Sequence, residues 1–325
     1  MRAWILSVAA GGVFGLASMS IGATVSITDS PISGPNGTAG VDYYVYKFVG
    51  PSTLSRDDAH PLSTALQGSA PPPSNAPFGN VELFANSESG TYSPSVALGD
   101  NFQTATRIAF SGTLLGVGIT LSSLNGDDWF RTPGNVYDTT YAADTQTLAR
   151  KWFGDLMTFY NVDGILTSAG VVNIALEKQQ MFDTIRNGGG FQRISDPNIS
   201  YVNQDTGTHE VSIGLAGTQG FLKQGLLAYI AASGTLTPAQ KASIGAAVNA
   251  LDIQASELVR VEYAGGAPMY LYGFTAQAVD LATDDQTESY DQNFNVTFQG
   301  MPEPSSAGLL GLAGALGLRR RRPAR

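Results

Sequence analysis

The sequence contains no cysteine and only two histidines in 325 residues. Without cysteine the chain cannot form a disulfide, use a thiolate nucleophile or build a cysteine zinc site. The histidines, His60 and His209, lie 149 positions apart, and neither occurs in an H-E-x-x-H or His-x-His pattern. A histidine metal site is therefore not indicated, and we expect both side chains at the surface.

The compact signatures of several enzyme classes are also missing. No serine lies in a G-x-S-x-G turn, no S-x-x-K pair occurs, and there is no phosphate-binding P-loop. Gly116 and Gly118 form a G-x-G pair, but the third glycine of a dinucleotide fingerprint does not follow. The sequence thus argues against the common serine hydrolases, nucleotide hydrolases and dinucleotide-dependent enzymes.

Charged residues are few, at 14% of the chain, and they are unevenly distributed. The two ends hold six of the 18 basic residues but only Glu303 of the 27 acidic ones. The body between them keeps 12 basic and 26 acidic side chains, a net charge near −14. Because such a surface repels phosphates, we expect no nucleic-acid partner and no binding of the body to anionic membranes.

Apolar residues make up 43% of the chain, enough to form a core. Aromatic and β-branched residues predict strands in 41–48 and 81–85, and 106–124 reads as two strands bent at a glycine. The proline- and serine-rich stretch 54–80 reads as a loop, and 292–300 as a last strand.

Helical periodicity appears in 144–161 and in 170–190. One face of the first helix carries Leu148, Trp152, Leu156 and either Phe159 or Tyr160. A further helical pair follows, whose first member has an apolar stripe of Phe221, Leu222, Leu226, Tyr229 and Ile230. Its second member opens with Thr237 as N-cap, Pro238 at the first helical position and Gln240 completing a capping box.

Two hairpins are predicted, over 196–217 and 257–279. Helices and strands occur in blocks rather than in strict alternation. This order predicts an α+β fold with a mostly antiparallel sheet and a helical middle section. We expect a single large domain over 24–300, β-rich in 24–135 and helical and mixed in 140–300.

The N-terminal residues 1–23 are typical of a secretory signal peptide. Arg2 forms a minimal basic region, 3–17 are mostly apolar, and Ala23 supplies the small residue that signal peptidase requires. Cleavage after Ala23 is the prediction.

The C-terminal residues 301–325 combine three features in a fixed order. First comes a rigid tripeptide, Pro302-Glu303-Pro304, because proline fixes φ and lacks an N–H. Twelve small or apolar residues, 307–318, follow, and as a helix they would span about 18 Å, short of the roughly 30 Å hydrocarbon core. The segment then ends in basic residues that favour the cytoplasmic side: Arg319, Arg320, Arg321 and Arg322.

This tail resembles the PEP-CTERM sorting signal. The resemblance implies export in a Gram-negative bacterium, transient membrane contact through the tail and processing by an exosortase after signal peptidase has acted. Bacteria that carry proteins with this signal typically produce extracellular polysaccharide or biofilm. The body, with the stretches LARKWF and GGGFQRISDPNISYVNQDTG, also resembles a small uncharacterised group of PEP-CTERM proteins, a likeness that carries no activity with it.

Carboxylates are the remaining candidates for catalysis. A glycosidase needs two of them at a defined separation in a cleft, and the sequence does not select a pair among Asp127, Asp128, Glu177, Asp183, Asp196, Asp205 and Glu210. Trp129 and Trp152 lie near acidic residues, as sugar-stacking rings do, but Trp152 falls on an apolar helical face and is expected in the core.

One acidic run could supply oxygen ligands to calcium. Its carboxylates include Asp284, Asp285, Glu288 and Asp291. The run lacks EF-hand spacing, and a solvated acidic loop is the plainer interpretation. No other cofactor is indicated.

These observations favour an exported, non-enzymatic protein of the cell surface or extracellular matrix, associated with exopolysaccharide. A secreted glycan hydrolase with paired carboxylates is the alternative hypothesis, and calcium-dependent adhesion is a third.

Overall fold

A computed structural model describes residues 24–26, 32–33, 42–48, 53–67, 79–83, 100–218, 220–275, 277–278, 282–283 and 292–301. The predicted signal peptide with Ala23, the sorting residues from Pro302 onward and the four proposed calcium ligands lie outside these residues.

Strands dominate both ends of the described chain, and helices dominate its centre. The strands are β1 (Thr24–Ser26), β2 (Ile32–Ser33), β3 (Tyr43–Phe48), β4 (Thr53–Arg56), β5 (Gly79–Leu83), β6 (Ala109–Leu114), β7 (Val117–Ser122), β8 (Asn198–Asp205), β9 (Glu210–Thr218), β10 (Ala255–Ser256), β11 (Val259–Tyr263), β12 (Met269–Leu271), β13 (Gln277–Ala278), β14 (Ala282–Thr283) and β15 (Gln292–Gln299). The helices are α1 (Leu62–Ala65), α2 (Asp100–Gln103), α3 (Gly126–Phe130), α4 (Leu148–Phe159), α5 (Val162–Ser168), α6 (Ile174–Asn187), α7 (Gly190–Arg193), α8 (Gly220–Ala232) and α9 (Pro238–Ala250).

The strands form two sheets. The larger has the order β13-β15-β9-β8-β5-β3-β4-β14, with β1 also on β8 and β10 also on β9. The smaller has the order β12-β11-β7-β6-β2. The pairs are antiparallel except for a short parallel contact between β14 and β4. The predicted α+β class with a mostly antiparallel sheet is thus confirmed.

The two sheets share one hydrophobic core. One hydrophobic cluster joins Phe110 and Val261 of the smaller sheet to Ile213 and Phe294 of the larger one. Alternate residues of β11 are buried, as expected for a strand with one face against a core. A tight turn connects β6 and β7 through Leu115 and Gly116, both with positive φ (50° and 77°), which matches the right-handed twist of the strands.

The helices enclose a second core rich in aromatic rings. The Trp129 ring centroid lies 6.2 Å from that of Trp152 and 4.9 Å from that of Phe191. The indole N–H of Trp129 donates to Ser195 Oγ at 2.7 Å, and that hydroxyl donates to the Phe191 carbonyl at 2.6 Å. The Trp129 indole and the Ser195 hydroxyl therefore both have partners despite burial, whereas the buried indole nitrogen of Trp152 has none among the described residues.

Local sequence signals locate several elements correctly. Thr237 and Gln240 form the capping box at the start of α9, with Pro238 at its first position. The hairpin over 196–217 is β8 and β9, and its turn is held by Asp205 Oδ1, which accepts the N–H groups of Gly207 and Thr208.

The loop interpretation of 54–80 is wrong for its described ends. β4 pairs with β3, α1 buries Ala65, and β5 begins at Gly79. Neither β4 nor α1 has a strong local pattern. Tertiary contacts decide their structure: β4 pairs with β3, and the chain just after α1 is bridged to β8 through Gln67 and Tyr201.

A buried carboxylate fastens α3 to the smaller sheet. Asp128, whose side chain is 3% exposed, accepts bonds from Arg107 Nε (2.7 Å) and Nη2 (2.9 Å) and from the Tyr270 hydroxyl (2.8 Å). It also accepts the N–H of Asn125 at 3.0 Å in a capping box. Arg260 Nε lies 3.7 Å away. Both carboxylate oxygens are therefore fully used.

We predict that Asp128→Ala lowers the free energy of unfolding by about 3 kcal/mol, because Arg107, the Tyr270 hydroxyl and the Asn125 N–H would all lose one buried acceptor. Its neighbour Asp127 pairs with Arg131 in a more exposed position, with side chains 25% and 33% exposed. Asp127→Ala should cost no more than about 1 kcal/mol. Urea unfolding of both variants measures the difference, and equal losses would contradict the assignment.

Candidate functional site

The carboxylates proposed as a catalytic pair are engaged in structural bonds. Asp127 and Asp128 are adjacent in α3, but Asp127 pairs with Arg131 at 2.6 Å while Asp128 pairs with Arg107. Asp205 holds the β8–β9 turn, and Asp196 also has a partner within the chain. These residues serve the fold rather than a cleft.

Glu177 and Asp183 both lie on α6 but differ in their exposure to solvent. Glu177 is 2% exposed and accepts the Tyr229 hydroxyl. Asp183 is partly exposed and lines a surface groove that Glu177 does not reach. Glu210 lies exposed at the start of β9. Among the residues that line the groove, Asp183 is the one carboxylate, so the groove does not supply the pair that glycoside hydrolysis requires.

Neither tryptophan proposed for sugar stacking is accessible. Trp129 and Trp152 are both fully buried in the aromatic core, which confirms the core interpretation of Trp152. His60 and His209 lie in turns and are partly buried. Exposed aromatic surface instead occurs at the end of α4.

Three residues on α4 form a stripe because they are spaced by four: Lys151, Asp155 and Phe159. Phe159, at the last helical position, is 49% exposed. The chain leaving β12 lies against this stripe and contributes Tyr272 and Phe274. We call these five residues the aromatic patch.

The rings of the aromatic patch form a continuous row. The Phe159 centroid lies 5.5 Å from that of Phe274, which lies 5.7 Å from that of Tyr272. Phe274 also contacts the buried Trp152 at 6.2 Å. The outer ring is thus supported by inner rings that are fixed in the core.

Hydrogen bonds hold the backbone beneath these rings. The Tyr160 hydroxyl lies 2.8 Å from the carbonyl of Gln254 and 3.2 Å from that of Phe274, and it accepts the Gln254 N–H at 2.7 Å. Gly273 donates its N–H to Ser256 Oγ at 2.9 Å and accepts the Ser256 N–H at 2.9 Å. The segment that carries Phe274 is therefore preorganised.

A polar triad borders the rings. Asp155 Oδ2 accepts Lys151 Nζ at 2.7 Å and the Tyr272 hydroxyl at 2.6 Å, and Lys151 Nζ lies 3.2 Å from that hydroxyl. The Lys151 side chain is 10% exposed and that of Asp155 is 37% exposed. Burial, followed by the bond to Asp155, raises the pKa of Tyr272 above its ordinary value, so the phenol stays protonated at neutral pH.

The second oxygen of Asp155, Oδ1, has no partner among the described residues. A partly exposed carboxylate oxygen beside an exposed ring can accept a hydrogen bond from a ligand hydroxyl. The ring offers an apolar, electron-rich face to C–H groups. This combination suits a ligand with hydroxyls on its edge and C–H bonds on its face, as a pyranose has.

The described residues contain no cluster of three or more histidine, aspartate or glutamate side chains able to hold a metal ion. Within the same part of the chain, no helix has both the length and the apolar character required to cross a bilayer.

Comparison with protein-family models, curated proteins and solved structures finds no match to this chain.

The sequence pattern contained part of this site. It assigned either Phe159 or Tyr160 to the apolar face of the helix, and the structure turns Tyr160 inward and leaves Phe159 exposed. Tyr272 and Phe274 were missed as site residues because their contacts with α4 span more than 110 positions. The i, i+4 spacing of Lys151, Asp155 and Phe159 was the one available signal.

We predict that Asp155→Ala destabilises the protein by about 1–3 kcal/mol, because Lys151 would be left largely buried without a counterion. The double variant Lys151→Met/Asp155→Ala should be at least about 1 kcal/mol more stable than Asp155→Ala alone. Thermal or urea unfolding of the full double-mutant cycle measures this coupling. Simple additivity of the two single losses would refute it.

Proposed function

We propose that this chain is an exported protein that is sorted through its C-terminal segment by an exosortase, and that its body binds exopolysaccharide at the cell surface or in the matrix without catalysing a reaction. The aromatic patch is the observation that carries the binding function. The order of the tail residues carries the sorting function.

Support for sorting comes from the combination of features in 302–325. The Pro302-Glu303-Pro304 tripeptide is followed by an apolar stretch that is too short to cross the hydrocarbon core as a straight helix, and then by four arginines. Such a segment is suited to hold an exported body at the membrane until it is cut. Processing would release a body that the N-terminal signal had already directed outward.

Support for glycan binding comes from the chemistry of the aromatic patch and from the charge of the body. Phe159 and Phe274 supply stacking surface, and Asp155 supplies an acceptor for hydroxyls. The body is strongly acidic, so a neutral polysaccharide is electrostatically more compatible than an acidic one. The Oδ1 atom of Asp155 binds the ligand edge, and the Tyr272 phenol, which donates to Asp155 Oδ2, holds that carboxylate in place.

The sorting proposal predicts the mature mass. Protein isolated from its native bacterium should begin near Thr24 and end near Pro302, with additional mass if a group is attached at the cut. Deletion of the exosortase should leave the tail intact through Arg325. Intact-mass spectrometry of both strains decides the matter, and a full tail in the wild-type strain would refute sorting by this signal.

The binding proposal predicts a specific loss in Phe159→Ala. Removing one stacking ring should weaken cosedimentation with the host's purified exopolysaccharide by roughly 2- to 10-fold, the equivalent of about 0.5–1.5 kcal/mol. Val172→Ala is the matched control, since Val172 is 98% exposed and lies outside the aromatic patch. Equal binding by both variants would exclude the aromatic patch as the contact surface.

A further inference from the structure

We propose that the groove between α6 and α8 is a second carbohydrate site, which takes a single neutral sugar unit such as the end of a glycan chain. That the sugar comes from exopolysaccharide rests on the function proposed above. Three features of the groove support this site: the shape of its walls, its unused hydrogen-bonding groups and its charge balance.

The groove forms because the long side chains of α6 lie opposite small side chains of α8, which leave space between the two helices. The α6 wall carries polar side chains: Gln180, Asp183, Thr184 and Asn187. The opposite wall, α8 and the residues after it, carries mostly small ones: Ala228, Ala232, Ser233 and Gly234. The open volume is about 540 Å³, within the range of roughly 300–1,000 Å³ that small-molecule sites occupy.

Internal bonds orient the amide groups of the α6 wall. The Gln180 Oε1 atom accepts the Thr235 hydroxyl at 3.3 Å and lies 3.0 Å from the Tyr229 hydroxyl, whose single proton is donated to Glu177. Asn187 Oδ1 accepts Arg186 Nε at 3.2 Å. With both amide oxygens engaged, the NH₂ groups of Gln180 and Asn187 have no partner among the described residues and remain available as donors.

Asp183 supplies the complementary acceptor. Its Oδ1 atom lies 3.2 Å from Arg186 Nη2, and its Oδ2 atom has no partner in the described part of the chain. Arg186 is itself fixed, because its Nη1 donates to the Thr139 carbonyl at 2.7 Å. The groove therefore offers two amide donors and one carboxylate acceptor on successive turns of a single helix.

This set of groups selects the ligand class. Sugar hydroxyls both donate and accept, so they can satisfy amide NH₂ groups and a carboxylate oxygen together. Arg186 offsets the charge of Asp183, which leaves no unpaired positive side chain among the lining residues for a phosphate and no excess negative charge for a cation. A neutral polyhydroxylated ligand fits better than either ion.

Both walls are anchored in the helical core. Phe182 of α6 and Tyr229 and Ile230 of α8 belong to the same buried cluster. Tyr229 is 7% exposed, and its hydroxyl also bonds to the buried Glu177. The lining groups are thus held in place before a ligand arrives, which reduces the entropic cost of binding.

Saturation-transfer NMR with the methyl glycosides of glucose, galactose, mannose and N-acetylglucosamine tests this site in the mature protein. At least one glycoside should bind. Asn187→Ala should weaken its Kd at least fivefold by removing one donor, and Ala232→Trp should abolish binding by filling the groove. Ala242→Trp, which places the same ring on an exposed position of α9, should bind as the wild type does. Phe159→Ala is measured in parallel to detect any glycoside that binds the aromatic patch. Circular dichroism confirms that each variant is folded.

Two results would overturn the inference: no transfer to any of the four glycosides in the wild type, or binding that survives Ala232→Trp. Loss in Phe159→Ala with retention in Ala232→Trp would assign the sugar to the aromatic patch instead. Cosedimentation of the same proteins with exopolysaccharide is read separately. If the protein cosediments with exopolysaccharide but binds no glycoside, the groove site is excluded and the proposed function stands. If it binds a glycoside but does not cosediment, the groove site stands and the proposed exopolysaccharide binding is excluded.

Discussion

A single carboxylate, that of Asp128, receives bonds from parts of the chain that are far apart in sequence. Arg107 reaches it from the residues before β6, Asn125 from the start of α3, and Tyr270 from β12. Because the side chain is almost fully buried, these bonds have little competition from water, and each partner would be left uncompensated without it. The bond from Tyr270 joins β12 to α3, and the chain beyond β12 supplies Tyr272 and Phe274 of the aromatic patch.

From Tyr270 onward, every second residue of β12 and its continuation contacts a helix. Tyr270 bonds to Asp128 of α3, Tyr272 bonds to Asp155 of α4, and Phe274 packs on Trp152 of α4. Alternate side chains of an extended segment point to the same side, so one strand and its continuation can join the smaller sheet to the helical core. The aromatic patch lies at the far end of this row, where the α4 helix ends and Phe159 is left exposed. The exposed Phe159 ring is consequently supported by buried rings that are held in place by the core.

Local signals in the sequence were sufficient where the chain's own neighbours determine its structure. The capping box of α9, the β8–β9 hairpin and the burial of Trp152 all follow from spacing over a few residues. β4 and α1 could not be predicted in this way, because strand pairing and packing by distant residues stabilise them. The same limit applies to the aromatic patch, since the stripe on α4 is visible in the sequence but its partners Tyr272 and Phe274 are supplied by tertiary structure. The groove between α6 and α8 could not be predicted either, because no local sequence pattern determines the distance between these two helices.

Charge distribution links the proposed binding function to the proposed processing. The arginines that could hold the chain at an anionic surface are concentrated at the ends, and each contributes about 1 kcal/mol of attraction near such a surface. Within the body, many of the few basic side chains are paired with carboxylates, including Arg107, Arg131 and Lys151. Removal of both ends would change the net charge from −9 to near −14. Cutting would therefore remove the membrane attraction and leave a body that anionic lipid repels. Under the proposed processing, retention of such a body near the cell would require contacts that do not depend on positive charge, and stacking on exposed rings is a contact of that kind.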